Sequence, residues 1–204
     1  MSKVKICGLT RPEDITIVNY QNPDYIGFVF AKSRRQITPE QAKTLKVRLH
    51  PSIKSTGVFV DASIPFIISL VNEHIIDMVQ LHGTEEEDYI RQLKKNVSCP
   101  VIKAIRVQNT SDILKAQSLS CDYLLLDTYV KGEPGGSGKT FDWSLIPKGI
   151  KPYFLAGGLT MENVGLAISC CHPYCVDVSS GVETEGIKNN DKIAAFMHAV
   201  NKEE

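Results

Sequence analysis

A chain of 204 residues, 43% hydrophobic and 23% charged, can bury a sizeable core and suits one domain. Its 23 Lys plus Arg balance 23 Asp plus Glu. That excludes a global field able to draw in nucleic acid or an anionic membrane, so any anion site must be local.

Apolar runs with strand character recur along the whole chain, at 3–7, 25–30, 55–60, 77–81, 101–106, 122–127, 152–156 and 174–178. They are continuous rather than alternating, as strands covered on both faces are. Segments with helical spacing lie between them. Thr38-Pro39-Glu40 reads as N-cap, N1 proline and early acid. A second start falls at Thr84, where Glu85, Glu86, Glu87 and Asp88 suit the positive end of a helix dipole. Thr160-Met161-Glu162 and Asn190-Asp191 mark two more.

Eight β–α units of about 25 residues each, with right-handed crossovers, predict a single (β/α)₈ TIM barrel over 1–204. A doubly wound open sheet is the competing architecture, but a G-x-G-x-x-G fingerprint is missing after every strand. The sixth helix is the poorest match, because residues 128–140 form a long Gly-rich loop. Gly135-Gly136-Ser137-Gly138-Lys139-Thr140 mimics a nucleotide P-loop. The glycine required five residues before Gly138 is Glu133, and no long helix follows. The segment reads instead as a lid over a site.

No basic segment leading into an apolar stretch opens the chain, and no apolar run is long enough to span a bilayer. A cytoplasmic protein is the expectation. The six cysteines contain no C-x-x-C pair, and the Cys170, Cys171, Cys175 and His172 group is a weak candidate for zinc. Free thiols in a reducing compartment, with no metal, are the better reading.

In such a barrel the functional side chains stand at the C-terminal strand ends. Cys7 ends the first strand as a candidate base, and Lys5, on the same face, would favour a thiolate of depressed pKa. Asp127 ends an apolar strand as a candidate general acid, or else as the cap of a following turn. Gly157-Gly158 after the seventh strand and Ser179-Ser180-Gly181 after the eighth suggest a phosphate cradle. Arg35 lies in a basic cluster suited to a carboxylate or phosphate, or simply to solvent. His82 could line the cleft or pack at its rim, and Asp177 could reach the mouth.

Read as a set, these segments resemble the phosphoribosylanthranilate isomerase family. The resemblance is carried by Lys5-Ile6-Cys7-Gly8-Leu9-Thr10, by Gly27-Phe28-Val29-Phe30 with Ser33 and Arg35, and by Gln80-Leu81-His82-Gly83. It continues through Leu126-Asp127-Thr128, Gly135 to Trp143, Ala156-Gly157-Gly158-Leu159 and Asp177-Val178-Ser179-Ser180-Gly181-Val182-Glu183. It implies a (β/α)₈ enzyme of tryptophan biosynthesis that needs no cofactor and acts on a small phosphosugar, as a monomer or homodimer. By the family pattern Asp127 is the general acid and Cys7 the general base of an Amadori rearrangement. Arg35 would hold the anthranilate carboxylate, with His82 and Asp177 also on the substrate. Gly157, Gly158, Ser180 and Gly181 would hold its phosphate. Other phosphosugar barrels, a non-catalytic metabolite-binding barrel and a thiol redox sensor are the alternatives. The first needs a lysine acid or metal-bound carboxylates, and the last a resolving thiol.

Overall fold

A computed structural model of the protein describes residues 2–128 and 140–202. Eight parallel strands close in chain order into a barrel. They are β1 (Lys3–Cys7), β2 (Tyr25–Val29), β3 (Lys54–Phe59), β4 (Met78–Leu81), β5 (Val101–Val107), β6 (Tyr123–Thr128), β7 (Tyr153–Leu155) and β8 (Cys175–Val178). The expected barrel is the observed one, and each strand lies within two residues of its expected bounds. An open sheet is ruled out because β1 pairs with both β2 and β8.

Among the described residues seven helices pack outside: α1 (Pro12–Gln21), α2 (Pro39–Val47), α3 (Ile64–Asn72), α4 (Glu87–Lys94), α5 (Thr110–Ala116), α6 (Val164–Cys171) and α7 (Asn190–Asn201). Between β6 and β7 the described residues contain only a 3₁₀ turn, Trp143–Leu145. The P-loop-like Gly135–Lys139 run and the expected lid lie outside the described residues. α2 begins as its sequence predicts. Gln41 N donates to Thr38 Oγ1 at 3.2 Å, and Thr38 N donates back to Gln41 Oε1 at 2.8 Å, a reciprocal capping box.

Two expected starts move. α4 begins at Glu87 rather than near Thr84, because Glu85 turns inward. There it accepts from Lys103 Nζ at 2.7 Å and from the N–H groups of Asp61 and Gly83, each at 2.9 Å. α6 begins at Val164, since Thr160 N donates to Asn163 Oδ1 at 2.9 Å and the intervening residues form a turn.

Two apolar cores result. One fills the layer between strands and helices and includes Ile6, Phe28, Leu81, Leu124, Leu126 and Phe196. The other plugs the barrel with Tyr25, Met78, Ile102, Ala104, Leu125, Phe154, Ala156 and Cys175. At its base the Tyr25 and Tyr174 hydroxyls lie 2.9 Å apart, and Lys3 Nζ sits 5.5 and 5.3 Å from their ring centroids. This seals the N-terminal end with aromatic area and cation–π contact.

One device repeats at that end. Each of β2, β4 and β6 is preceded by an aspartate that accepts a backbone N–H from a neighbouring strand. Asp24 Oδ2 takes Val4 N at 2.9 Å, Asp77 Oδ2 takes Ser55 N at 2.7 Å, and Asp122 Oδ2 takes Val101 N at 2.8 Å. Burial alone would raise the Asp77 carboxyl. Lys46 and Ser55 outweigh it and hold the group below the usual carboxylate range.

Replacing Asp24, Asp77 or Asp122 by Ala should cost about 1–3 kcal/mol each, the penalty for leaving a strand N–H unsatisfied. Urea unfolding measures it. For Asp77 the contribution is complete above the ordinary carboxylate value and is lost as pH falls below it. Turnover should survive, since the clamps stand at the end opposite the strand C-termini.

Candidate active site

β1 and β8 place the first cluster. Lys5 and Cys7 share the inward face of β1, two residues apart. Cys7 pairs in register with Gly27 of β2, and a Cβ on Gly27 would lie 2.5 Å from Cys7 Sγ. The glycine is what gives the thiol its room. Lys5 is fully buried, and its Nζ donates to Asp177 Oδ2 at 2.8 Å and Gln80 Oε1 at 3.0 Å. Burial would lower the ammonium's pKa, but the Asp177 carboxylate beside it keeps Lys5 charged and raises its value.

The expectation of a depressed Cys7 pKa is corrected. Burial is the largest influence and pushes the thiol up, and Asp177 adds to it; the cations of Lys5 and Lys188 offset only part. The residue spacing reveals the nearby cation but not the desolvation. Asp177 itself lies under the mouth as the partner of Lys5, and its Oδ1 is buried without a hydrogen-bond partner among the described residues.

Asp127 stands at the end of β6, 9% exposed. Thr128 N donates to its Oδ1 at 2.8 Å, and His82 Nε2 lies 3.3 Å from its Oδ2. His82 Nδ1 is 2.9 Å from Gln80 Nε2. His82 therefore lines the cleft beside the acid rather than packing at the rim.

Arg35 is held rather than free. Its Nε and Nη2 donate to Glu183 Oε1 and Oε2 at 2.7 and 2.9 Å, while its stem lies against Gly8. Arg34 and Lys188 bind the same carboxylate, each at 2.8 Å. Lys188 Nζ also donates to Ser179 O at 2.9 Å, and Ser179 Oγ donates to Cys7 O at 3.0 Å. Bidentate pairing through Nε and Nη2 leaves Nη1 of Arg35 without an acceptor among the described residues, so one edge of the guanidinium can take another anion.

The glycine turns after β7 and β8 meet. A Cβ on Gly181 would lie 2.0 Å from Leu159 O, which brings the β8 turn onto the β7 turn. Gly157 and Gly158 both have positive φ, 83° and 65°. A Cβ on Gly157 would lie 2.3 Å from Thr128 Oγ1 and 2.9 Å from Asp127 Oδ1. The N–H groups of Gly157, Gly158 and Ser180 donate to no backbone carbonyl among the described residues, which suits them to an anion. No group of three or more His, Cys, Asp or Glu among the described residues could hold a metal ion.

Two participants escape the sequence reading as individual residues, Glu183 and Lys188. They face each other across a short hairpin, β9 (Glu183–Thr184) and β10 (Ile187–Lys188), turned by Glu185 and Gly186 at φ 52° and 80°. Gly186 between two short polar-flanked segments was the available signal.

Parallel strands ending together in a polar, anion-ready mouth define a (β/α)₈-barrel enzyme. A family model described as N-(5'phosphoribosyl)anthranilate (PRA) isomerase matches residues 4–199, and the chain belongs to that family. It is 48% identical over 193 residues to the N-(5'-phosphoribosyl)anthranilate isomerase of Endomicrobium trichonymphae, covering 95% of each chain. Its fold superposes on the phosphoribosyl anthranilate isomerase of Thermotoga maritima with a TM-score of 0.89 at 38% identity, over 99% of this chain and 100% of that one. A further solved structure, of phosphoribosyl anthranilate isomerase in complex with reduced 1-(o-carboxyphenylamino)-1-deoxyribulose 5-phosphate, matches with a TM-score of 0.85 at 37% identity, over 99% of this chain and 100% of that one.

Arg35 and Lys188 hold the Glu183 carboxyl below the usual carboxylate range, against burial, which is the largest single influence and raises it. A depressed folded value means the contribution to stability is complete above the ordinary value of 4.5 and is lost as pH falls through the lower folded value. Glu183→Gln should therefore flatten the acid limb of the Tm–pH profile. An unchanged acid limb would show that the carboxylate gives the mouth no stability.

Proposed function

We propose that this isomerase converts N-(5-phosphoribosyl)anthranilate into 1-(2-carboxyphenylamino)-1-deoxy-D-ribulose 5-phosphate with Asp127 as general acid and Cys7 as general base. The observation that carries the assignment of roles is the polar row Lys5–Gln80–His82. It joins the surroundings of the Cys7 thiol to the Asp127 carboxyl within one barrel mouth.

Asp127 gives its proton to the furanose oxygen as the C1–O bond breaks, and the anthranilate nitrogen lone pair forms the C1=N bond. The resulting cation acidifies the C2–H bond. The Cys7 thiolate removes that proton, the C–H electrons form an enolamine, and tautomerisation places the carbonyl at C2. The substrate's own nitrogen is the electron sink, so one acid and one base suffice. The raised thiol value makes the Cys7 thiolate a strong base when it forms, and Lys5 supplies the nearby positive charge that lets it form.

Arg35, positioned by Glu183, turns its Nη1 edge to the anthranilate carboxylate. The turns at Gly157-Gly158 and Ser180-Gly181 take the phosphate. Holding both ends aligns the sugar between thiol and carboxyl, which spends remote binding energy on geometry. His82 acts beside Asp127, and Asp177 acts beneath the substrate through Lys5. All of these groups belong to one chain, so the reading serves a monomer and a homodimer alike. The six cysteines are free, which supports placing the enzyme in the reducing cytoplasm. No helix among the described residues is long and apolar enough to cross a membrane.

Cys7→Ala and Asp127→Ala should each lower kcat by about 10²–10⁴-fold and leave binding of a reduced product analogue within a small factor. Loss of substrate fluorescence in a coupled assay reads the first quantity and calorimetry the second. Arg35→Ala should raise KM with a smaller change in kcat. Retention of most of kcat in either of the first two variants sinks the assignment of roles.

A further inference from the structure

Three hydrogen bonds and one closing His82–Asp127 charge contact run in a row across the barrel mouth. Asp177 Oδ2 accepts from Lys5 Nζ at 2.8 Å, and Lys5 Nζ also donates to Gln80 Oε1 at 3.0 Å. Gln80 Nε2 lies 2.9 Å from His82 Nδ1, and His82 Nε2 lies 3.3 Å from Asp127 Oδ2. The row has a direction, and one end dictates it. An ammonium offers only hydrogens, so Gln80 must turn its oxygen to Lys5. The amide NH₂ is then turned to His82, whose Nδ1 can only accept. The ring hydrogen is left on Nε2, facing Asp127. Reversing the Gln80 amide would set its NH₂ against the ammonium. Moving the ring hydrogen to Nδ1 would set it against the amide NH₂. Either change puts two donors face to face in a buried place, which is costly.

We propose that Gln80 is a positioning residue for the isomerisation: oriented by Lys5, it fixes the His82 tautomer that presents Nε2–H to Asp127. The catalytic consequence rests on the reading of Asp127 as the general acid; the tautomer does not. When Asp127 passes its proton to the ring oxygen it becomes a carboxylate, and the Nε2–H group 3.3 Å away closes onto it as that charge appears. His82 keeps its hydrogen throughout. A donor already in place costs no reorganisation at the moment of reaction. The opposite tautomer would turn a nitrogen lone pair toward the new negative charge. Gln80 thus bears on the chemical step more than on substrate affinity. It also couples the two halves of the site, because the lysine beside the base sets the histidine beside the acid.

The test uses the whole protein, labelled with ¹⁵N-histidine, together with Gln80→Glu and Gln80→Met. His82 resonances are assigned by their loss in His82→Gln. In the unsubstituted protein two-bond ¹H–¹⁵N spectra should show Nε2 protonated and Nδ1 bare. Gln80→Glu offers an acceptor to Nδ1, so the ring hydrogen should move there. kcat should then fall about a hundredfold, the lower end for an acid–base contribution, with KM little changed. Gln80→Met keeps the volume but fixes neither tautomer, and should give a mixed spectrum with a smaller loss of kcat. A bare Nε2 in the unsubstituted protein overturns the proposal without any variant having to fold. So does a folded Gln80→Glu variant whose ring hydrogen moves while kcat holds. A failed acid role for Asp127 would show separately, as turnover retained in Asp127→Ala.

Discussion

A fully buried ammonium on the first strand organises the mouth of this barrel. Lys5 has no solvent contact, and burying an unpaired charge of this kind would cost several kcal/mol. Asp177 from the adjacent β8 and Gln80 from β4 offset that cost, and the contact with Gln80 ties β1 to a strand that is not its neighbour in the barrel. Nothing apolar could take the place of Lys5 without leaving the Asp177 carboxylate buried and unpaired. The lysine also shapes the electrostatics of the Cys7 thiol and, through Gln80, the orientation of the ring that meets Asp127. One cation therefore bears on both candidate catalytic groups.

A second charge cluster repeats this logic at the rim. Glu183 gathers Arg34, Arg35 and Lys188. The same Lys188 reaches Ser179, whose hydroxyl holds the Cys7 carbonyl. Arg35, proposed to hold the substrate, is thus tethered to the strand end that carries the thiol. Arg35 is preorganised by a partner contributed by the hairpin after β8. That would limit the side-chain entropy lost in the proposed contact with a second carboxylate.

The architecture was readable because its determinants are local. Continuous apolar runs such as Tyr123 to Leu126 announce a strand covered on both faces, and Thr38-Pro39 announces a helix start whatever lies elsewhere. Long-range contacts decide what was not readable. The run Glu85 to Asp88 divides between a buried ion pair and a helix start because Lys103, 18 positions on, claims Glu85. The Cys7 thiol is pushed up by burial, which no spacing rule reports. Gln80 and His82, two residues apart at the end of β4, share one face. Which atom of each faces which neighbour follows only once Lys5 is seen to reach Gln80 from another strand. The family resemblance supplied roles for Cys7 and Asp127, and geometry supplied the partners that orient them.

The aspartates that precede β2, β4 and β6 carry an implication for how the chain can be rearranged. Each staples its own strand to the one before it, so the first six strands are held at their base as three pairs. A break placed inside α2 or α4 would leave every staple intact, whereas one placed inside α1, α3 or α5 would detach a strand from its anchor. Circular permutation or fragment reassembly of this barrel should respect that two-strand grain, because its units of architecture are larger than the single β–α repeat visible in its connectivity.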